Sequence, residues 1–212
     1  MSYWLSLLQL HRVIAVVRAT DVDIARKMAL AAAAGGIKLL EITWNTDGAA
    51  SLIPQLQQEL PECEIGTGTI LNPKMAIASI ECGVKFMFTP HFDRSLIQLG
   101  HAANIPVVPG ALTPTEIVTA WQSGAAAVKV FPIKAVGGVE YLRCLRPVLG
   151  EIPLIPTGGV TLENAVSFLE AGAVGVGISG DFFDRLSIDT GNWSRITANA
   201  RDLVDRIKRI TL

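Results

Sequence analysis

Short apolar segments rich in β-branched side chains alternate with amphipathic segments along the whole chain. Apolar runs of this length, bounded by glycine, proline or polar residues, are typical of strands that are buried on both faces. In chain order these segments are VIAVVR, LLEIT, EIGTGT, KFMFT, PVVPG, AVKVF, PLIPTGG and AVGVGIS. Strands of this kind predict a parallel sheet with helices packed on it.

The segments between the strands carry helix start and stop signals. Thr20 or Asp21 can cap the helix after the first strand, and Thr113–Glu116 forms a capping box with proline at the first helical position. Thr161 is expected to cap the helix after the seventh strand. An amphipathic segment, Tyr3–Leu10, precedes the first strand, and a terminal helix is expected from about Trp193 to Ile210.

Strand and helix therefore alternate about eight times, in units of roughly 20–28 residues. We expect one domain, residues 1–212, forming an α/β fold of the (β/α)8 TIM-barrel class with a short N-terminal helix. An open, doubly wound sheet is the alternative that this alternation leaves open.

Composition excludes several classes of function. The formal net charge of the 212-residue chain is −1, and no basic stripe or charge run indicates nucleic-acid binding. No apolar run is long enough to span a bilayer, so no membrane partner is expected. The three cysteines and three histidines are scattered without metal-ligand spacing, so we expect no metal and no disulfides, as in a cytoplasmic protein.

The predicted sixth strand contains a lysine where an apolar residue is expected. Period 2 puts Ala127, Lys129 and Phe131 on one face of a strand that is bounded by Gly124 before it and Pro132 after it. A buried ammonium loses its hydration unless a charged partner compensates it. A buried amine held in its neutral form can instead attack a carbonyl carbon and form a Schiff base. Lys129 is therefore either a structural residue, which pairs with a buried carboxylate or extends its ammonium to solvent from the strand end, or a nucleophile.

Glu41 is a second charge inside an apolar strand. It could pair with Lys129 or Arg18, or it could move protons for a Schiff base on Lys129, because burial raises the pKa of a carboxyl group. Both residues lie near the carboxyl ends of their strands, where barrels carry their active sites. The two interpretations predict the same charges, so this pair alone leaves both open.

Glycine turns follow the seventh and eighth predicted strands. Gly158 and Gly159 allow a close backbone approach, and Ser179 and Gly180 add small residues on the next strand end. Barrels often bind phosphate at these two loops through backbone N–H groups, although a simple strand-to-helix turn also favours glycine.

Two further strand ends carry polar residues. Arg18 at the end of the first strand could bind a carboxylate or could simply be solvated, and Thr69 could add a hydroxyl and an N–H group. Lys134 follows the lysine strand in a loop, where we expect it to be solvated and a weaker nucleophile than Lys129.

The motifs VKVFPIKAVGG, LLEIT, GTGTILNP and PTGG resemble, in order and spacing, those of the 2-keto-3-deoxy-6-phosphogluconate (KDPG) / 4-hydroxy-2-oxoglutarate (KHG) aldolase family. This resemblance covers the chain from Val13 to about Ser179. It implies a (β/α)8 class I aldolase that forms a homotrimer and needs no metal or other cofactor.

The resemblance also implies residue roles. Lys129 would be the Schiff-base lysine, Glu41 the general acid/base, and Thr69 a ligand of the pyruvate carboxylate. The other matched positions line the pocket or bind phosphate: Pro90, Phe131 and Thr157 for the pocket, and Gly158, Gly159 and Ser179 for phosphate.

Some members of the family hold the carboxylate with an arginine shortly after the glutamate, where this chain has Asn45. Others use an arginine at the end of the first strand, and Arg18 supplies one here. Lys134 stands where the family usually has a small or acidic residue.

The expected reaction is reversible cleavage of KDPG to pyruvate and glyceraldehyde 3-phosphate, of KHG to pyruvate and glyoxylate, or of both. One alternative is an aldolase for the galactonate-derived phosphosugar acid, 2-keto-3-deoxy-6-phosphogalactonate. Another is a barrel that binds a phosphosugar without aldol chemistry.

Overall fold

The fold was obtained as a computed structural model that describes residues 3–210. Nine strands are present in this part of the chain, and every strand pair is parallel. They are β1 Val13–Val17, β2 Leu39–Thr43, β3 Glu64–Gly68, β4 Met87–Phe88, β5 Val107–Val108, β6 Gly110–Ala111, β7 Val128–Val130, β8 Leu154–Pro156 and β9 Val176–Ile178.

Helices connect these strands. The α-helices are α1 Tyr3–His11, α2 Val22–Ala34, α3 Ala49–Glu59, α4 Pro73–Glu81, α5 Arg94–Ala102, α6 Pro114–Gln122, α7 Val139–Leu149, α8 Ala165–Glu170, α9 Arg185–Asp189 and α10 Trp193–Lys208. Two 3-10 helices, Ile133–Val136 and Gly180–Phe183, follow β7 and β9. Within residues 3–210, none of these helices is both long and apolar enough to cross a membrane.

The strands form a six-stranded sheet in the order β5-β4-β3-β2-β1-β9 and a three-stranded sheet in the order β6-β7-β8. The single predicted strand PVVPG is divided into β5 and β6 at Pro109, because proline has no N–H group to donate to the ladder. A parallel bridge pairs Thr157 with Gly177, and the Ala126 N–H donates to the Val107 carbonyl at 2.9 Å. The fold is therefore α/β with a curled parallel sheet.

Two apolar clusters fill the molecule. The larger lies between the sheet and the helices. The smaller, here called the interior cluster, consists of Trp4, Leu8, Ile14, Leu39, Phe86, Phe88, Val108, Ala127 and Ile155. Trp4 and Leu8 come from α1, and the ring of Trp4 lies 5.6 Å from that of Phe86. Helix α1 thus covers the interior at the amino ends of the strands.

The helix signals in the sequence are mostly confirmed. The Asp21 side chain accepts from the Ile24 N–H at the start of α2, and the capping box at Thr113 is present. Thr161 makes the side-chain hydrogen bonds expected of a helix cap. Its hydroxyl accepts from the Asn164 N–H, and the Asn164 side chain accepts from the Thr161 N–H, which is the reciprocal pattern of a capping box. The regular helix α8 begins later than expected, at Ala165.

Gly66 on β3 is expected to be required for packing of the interior cluster. A Cβ atom at this position would lie 2.3 Å from the Phe86 ring, which is fully buried. We predict that Gly66→Ala lowers the free energy of unfolding in urea by about 1–3 kcal/mol through overpacking. Gly180→Ala is the matched control, because a Cβ there has nothing within 4 Å. Equal stabilities for the two variants would contradict this account.

Candidate active site

Strand alternation directs a lysine and a glutamate into the sheet interior. On β2, Leu39 belongs to the interior cluster, so Glu41 two residues later faces the same way. By the same period, Ala127 in the interior cluster places Lys129 of β7 on the interior face. The structure therefore brings together the two charged strand residues that the sequence singled out.

The Lys129 ammonium lies between two aromatic rings. Its Nζ atom is 4.9 Å from the centroid of Phe131 and 5.6 Å from that of Phe88, and the residue is 6% exposed. Within residues 3–210, no carboxylate lies within the 4.0 Å of an ion pair with it. The direct structural ion pair that the sequence left open is thus absent from the described part of the chain.

Glu41 is 1% exposed, and its Oε1 atom is buried without a hydrogen-bond partner among the described residues. Burial raises the pKa of Glu41, and the positive charges of Lys129 and Arg18 offset part of that rise. An unpartnered carboxyl oxygen beside an amine is costly in a core, but it is suited to proton transfer.

A glycine on the neighbouring strand makes room for this carboxyl group. A Cβ atom on Gly68 of β3 would lie 1.7 Å from Oε1 of Glu41 and 2.4 Å from its carboxyl carbon. Gly68 pairs with Thr43, two residues beyond Glu41. The space that the Glu41 carboxyl group occupies therefore exists only because position 68 has no side chain.

Thr69 adopts an unusual backbone conformation directly after β3. Its φ of 62° lies in the left-handed region, which a β-branched residue rarely enters and which costs on the order of 1–3 kcal/mol. The Arg18 guanidinium donates to the Thr69 hydroxyl at 3.4 Å. Arg18 is exposed at the end of β1, so its remaining N–H groups are open to solvent. Two residues that the sequence placed at a carboxylate site are thus in contact.

The predicted pocket residues also lie at the carboxyl ends of the strands. Phe131 is half-buried beside Lys129, and Pro90 is half-buried after β4, with its carbonyl packed on Gly110. Thr157 is 7% exposed and faces Gly177, where a Cβ would lie 2.5 Å from its hydroxyl oxygen.

The glycine turn has a packing role in the structure. Gly158 and Gly159 have φ values of 81° and 106°, and a Cβ on Gly158 would lie 3.0 Å from the Phe131 ring. The Ser179 hydroxyl donates to the Val16 carbonyl at 2.8 Å, across the pair of β9 and β1. These three residues lie just beyond the carboxyl ends of β8 and β9, and the ring of Phe131 leaves no room for a side chain at Gly158.

Sequence reasoning missed Phe88. The period of KFMFTP puts Phe86, Phe88 and Pro90 on one face, so the signal was present once that face was known to point inward. Sequence reasoning also missed the buried hydrogen bond of 3.1 Å between the Thr43 and Thr46 hydroxyls. That bond holds the start of the loop that carries Asn45, which is exposed.

Residues 3–210 contain no group of three or more histidine, cysteine, aspartate or glutamate side chains that could hold a metal ion. The polar side chains that the structure places at this end of the sheet include the amine of Lys129, the carboxyl group of Glu41, the guanidinium of Arg18 and the hydroxyl of Thr69.

Comparison with known proteins places this arrangement in a family. The family model for KDPG and KHG aldolase matches residues 5–199. The chain belongs to the KDPG and KHG aldolase family. Among its relatives, the 2-dehydro-3-deoxy-phosphogluconate aldolase of Dickeya dadantii is 32% identical over 91% of this chain and 90% of its own length. The KHG/KDPG aldolase of Escherichia coli K12 is 31% identical over 96% of this chain and 95% of its own length.

Solved aldolase structures have the same fold. The KDPG aldolase of Legionella pneumophila, solved with pyruvate captured as a covalent carbinolamine intermediate, has a TM-score of 0.86 and 28% identity over 95% of this chain and 98% of that one. A native KDPGal structure has a TM-score of 0.83 and 30% identity, covering 92% of this chain and 94% of that one. The family to which the sequence motifs pointed is thus confirmed.

Replacement of Glu41 is expected to give a stability difference that depends on pH. Because burial raises the pKa of Glu41 above its usual 4.5, the folded state binds this proton more tightly than the unfolded state. The wild type gains stability from Glu41 below the usual pKa and loses it as the pH rises through the folded-state pKa. Glu41→Gln should therefore gain stability relative to the wild type as the pH rises above 4.5 and through the folded-state pKa, measured by urea unfolding.

Glu116→Gln serves as the control for this series. The N–H groups of Thr113 and Leu112 lower the pKa of Glu116, so its contribution is complete above the usual 4.5 and is lost only at lower pH. Its stability difference should stay constant over the same range. A Glu41→Gln difference that is also constant would contradict the desolvation of Glu41.

Gly68→Ala is expected to displace the Glu41 carboxyl group, because the new methyl would occupy its position. We predict a loss of kcat for aldol cleavage of at least about 10-fold, because the role expected for Glu41, general acid–base catalysis, contributes roughly 10²–10⁴-fold and depends on the position of the carboxyl group. The pH profile of kcat should also shift. Loss of kcat in proportion to loss of folded protein, with an unchanged pH profile, would contradict a positioning role for Gly68.

Proposed function

We propose that this chain is a class I aldolase that reversibly cleaves KDPG to pyruvate and glyceraldehyde 3-phosphate, KHG to pyruvate and glyoxylate, or both. The observation that carries the proposal is the Lys129 amine, buried between two aromatic rings without an ion-pair partner in the described chain, in the same interior as the buried Glu41 carboxyl. Family membership and the carbinolamine captured in a structural relative support the same chemistry.

The first steps form a covalent bond between Lys129 and the substrate. Its Nζ attacks the C2 ketone of the 2-keto acid, and loss of water gives an iminium ion that can accept an electron pair. Arg18 and Thr69 hold the C1 carboxylate through the guanidinium and the hydroxyl. Glu41 donates the proton that the departing water requires, which its raised pKa favours.

Cleavage then runs through an enamine. Glu41, now a carboxylate, removes the proton of the C4 hydroxyl, the C3–C4 bond breaks, and its electron pair moves into the iminium. The aldehyde leaves, Glu41 returns the proton to the enamine carbon, and water hydrolyses the iminium, which releases pyruvate and restores the Lys129 amine. Pro90, Phe131 and Thr157 would line the pocket for the keto acid, and Gly158, Gly159 and Ser179 would lie beside its distal end.

A second candidate is cleavage of 2-keto-3-deoxy-6-phosphogalactonate, which differs from KDPG in stereochemistry at the cleaved bond. The similarity to the native KDPGal structure favours it, with 30% identity over 92% of this chain. Coupled assays for pyruvate release on the two phosphosugar acids and on KHG distinguish these substrates by their kcat/KM.

We propose further that the two sheets act as one closed (β/α)8 barrel forming a single domain. The bridge between Thr157 and Gly177 and the bond from Ala126 to Val107 join them at both seams. The free thiols of Cys63, Cys82 and Cys144 favour a cytoplasmic location, and the family resemblance favours a homotrimer.

Borohydride reduction in the presence of pyruvate tests the proposal. We expect a stable mass gain on Lys129, located by peptide mapping, because reduction fixes the iminium as a secondary amine. Lys129→Met should abolish the adduct and lower kcat by at least about 1000-fold. The control is Lys27→Met at an exposed position on α2, which should change neither the adduct nor kcat.

No adduct, or an adduct on Lys134, would overturn the assignment of Lys129. Binding of phosphosugar acids by a protein that forms no adduct would instead favour a phosphosugar-binding barrel without aldol chemistry.

A further inference from the structure

Lys134 lies along the glycine turn at the mouth of the sheet interior. Its N–H donates to the Gly158 carbonyl at 3.0 Å, within the 3-10 helix that follows β7. A Cβ atom on Gly159 would lie 2.3 Å from Cβ of Lys134 and 3.1 Å from its Cγ and Cδ atoms. The side-chain stem therefore packs on Gly159, which explains why position 159 needs glycine.

The Lys134 ammonium has no ion-pair partner among residues 3–210. The residue is exposed, so its charge is available to a ligand. The N–H groups of Gly158 and Gly159 donate to no backbone carbonyl in the same part of the chain. A cation and two open N–H donors thus lie on one turn, which is the donor set of an anion site.

A carboxylate lies on the adjacent loop. Asp181, which follows β9, accepts a hydrogen bond from the Leu162 N–H at 3.2 Å, so one negative charge lies at Leu162, three residues beyond Gly159 along the chain. A second anion placed there would be repelled by Asp181 unless a positive charge compensated it. The stem of Lys134 packs on this turn, so its ammonium can supply that positive charge.

We propose that Lys134 binds the distal anionic group of the substrate, together with the N–H groups of Gly158 and Gly159. The inference rests on the aldolase function proposed above and adds a residue that determines which substrates are accepted. The ligand is the phosphate of a phosphorylated keto acid or the second carboxylate of KHG. A phosphate dianion gains more from one cation than a carboxylate does, so the phosphorylated substrate is favoured.

Three variants distinguish the contribution of the Lys134 charge from that of its aliphatic stem. Lys134→Met keeps an unbranched stem over Gly159 and removes only the charge, Lys134→Arg keeps both, and Lys27→Met on α2 is the surface control. We expect Lys134→Met to raise KM for KDPG about 10-fold, as loss of one charge-assisted contact of about 1.4 kcal/mol implies, with kcat little changed. Lys134→Arg and Lys27→Met should remain near the wild type.

The two sources of the anion are distinguished by running KHG in parallel. A rise in KM for KDPG alone assigns the contact to phosphate, and a rise for both substrates assigns it to any distal anion. Added salt should raise the KM of the wild type more than that of Lys134→Met, because the lost interaction is the one that salt screens.

Borohydride trapping of pyruvate, which has no distal anion, separates this inference from the proposed function. Trapping by Lys134→Met should equal that of the wild type. Reduced trapping, or an unchanged KM for both substrates, would overturn the role of Lys134 while leaving Lys129 as the nucleophile. Failure of the wild type to trap pyruvate would instead overturn the aldolase function itself.

Discussion

The burial of one carboxyl group constrains much of this structure. Glu41 lies in the sheet interior with an unpartnered oxygen, where desolvation raises its pKa and the charges of Lys129 and Arg18 offset only part of the cost. Position 68 on the neighbouring strand β3 is glycine, and the absence of a side chain there leaves the space that the Glu41 carboxyl group occupies. A core normally excludes such a group, and its retention supports the proton-transfer role proposed for Glu41.

The interior is divided along the strand direction into an apolar end and a reactive end. Trp4, Phe86 and Phe88 pack on one another, with ring centroids 5.6–6.2 Å apart, and helix α1 covers this end. The Lys129 ammonium rests against the last of these rings. The aromatic packing thus sets the depth at which the amine lies and excludes water from the side away from the opening.

Local sequence signals were sufficient where structure depends on neighbours along the chain. The alternation of strands and helices, the capping box at Thr113 and the cap at Asp21 were predictable because each depends on a few adjacent residues. The start of α8 and the division of the fifth strand at Pro109 were not predicted. Both depend on the backbone at single residues: a turn at residues 162–164 precedes α8, and Pro109 has no N–H group to donate to the sheet.

The sequence by itself determined the α/β class, the family and the identity of the two anomalous charges, because apolar periodicity and motif order are properties of the chain. Only the tertiary structure decided that Lys129 has no ion-pair partner among the described residues, that Gly68 holds open the space for Glu41, and that Lys134 lies along Gly159. These are contacts between strands and loops far apart in sequence. Strand register and loop packing fix them, and no local pattern encodes either.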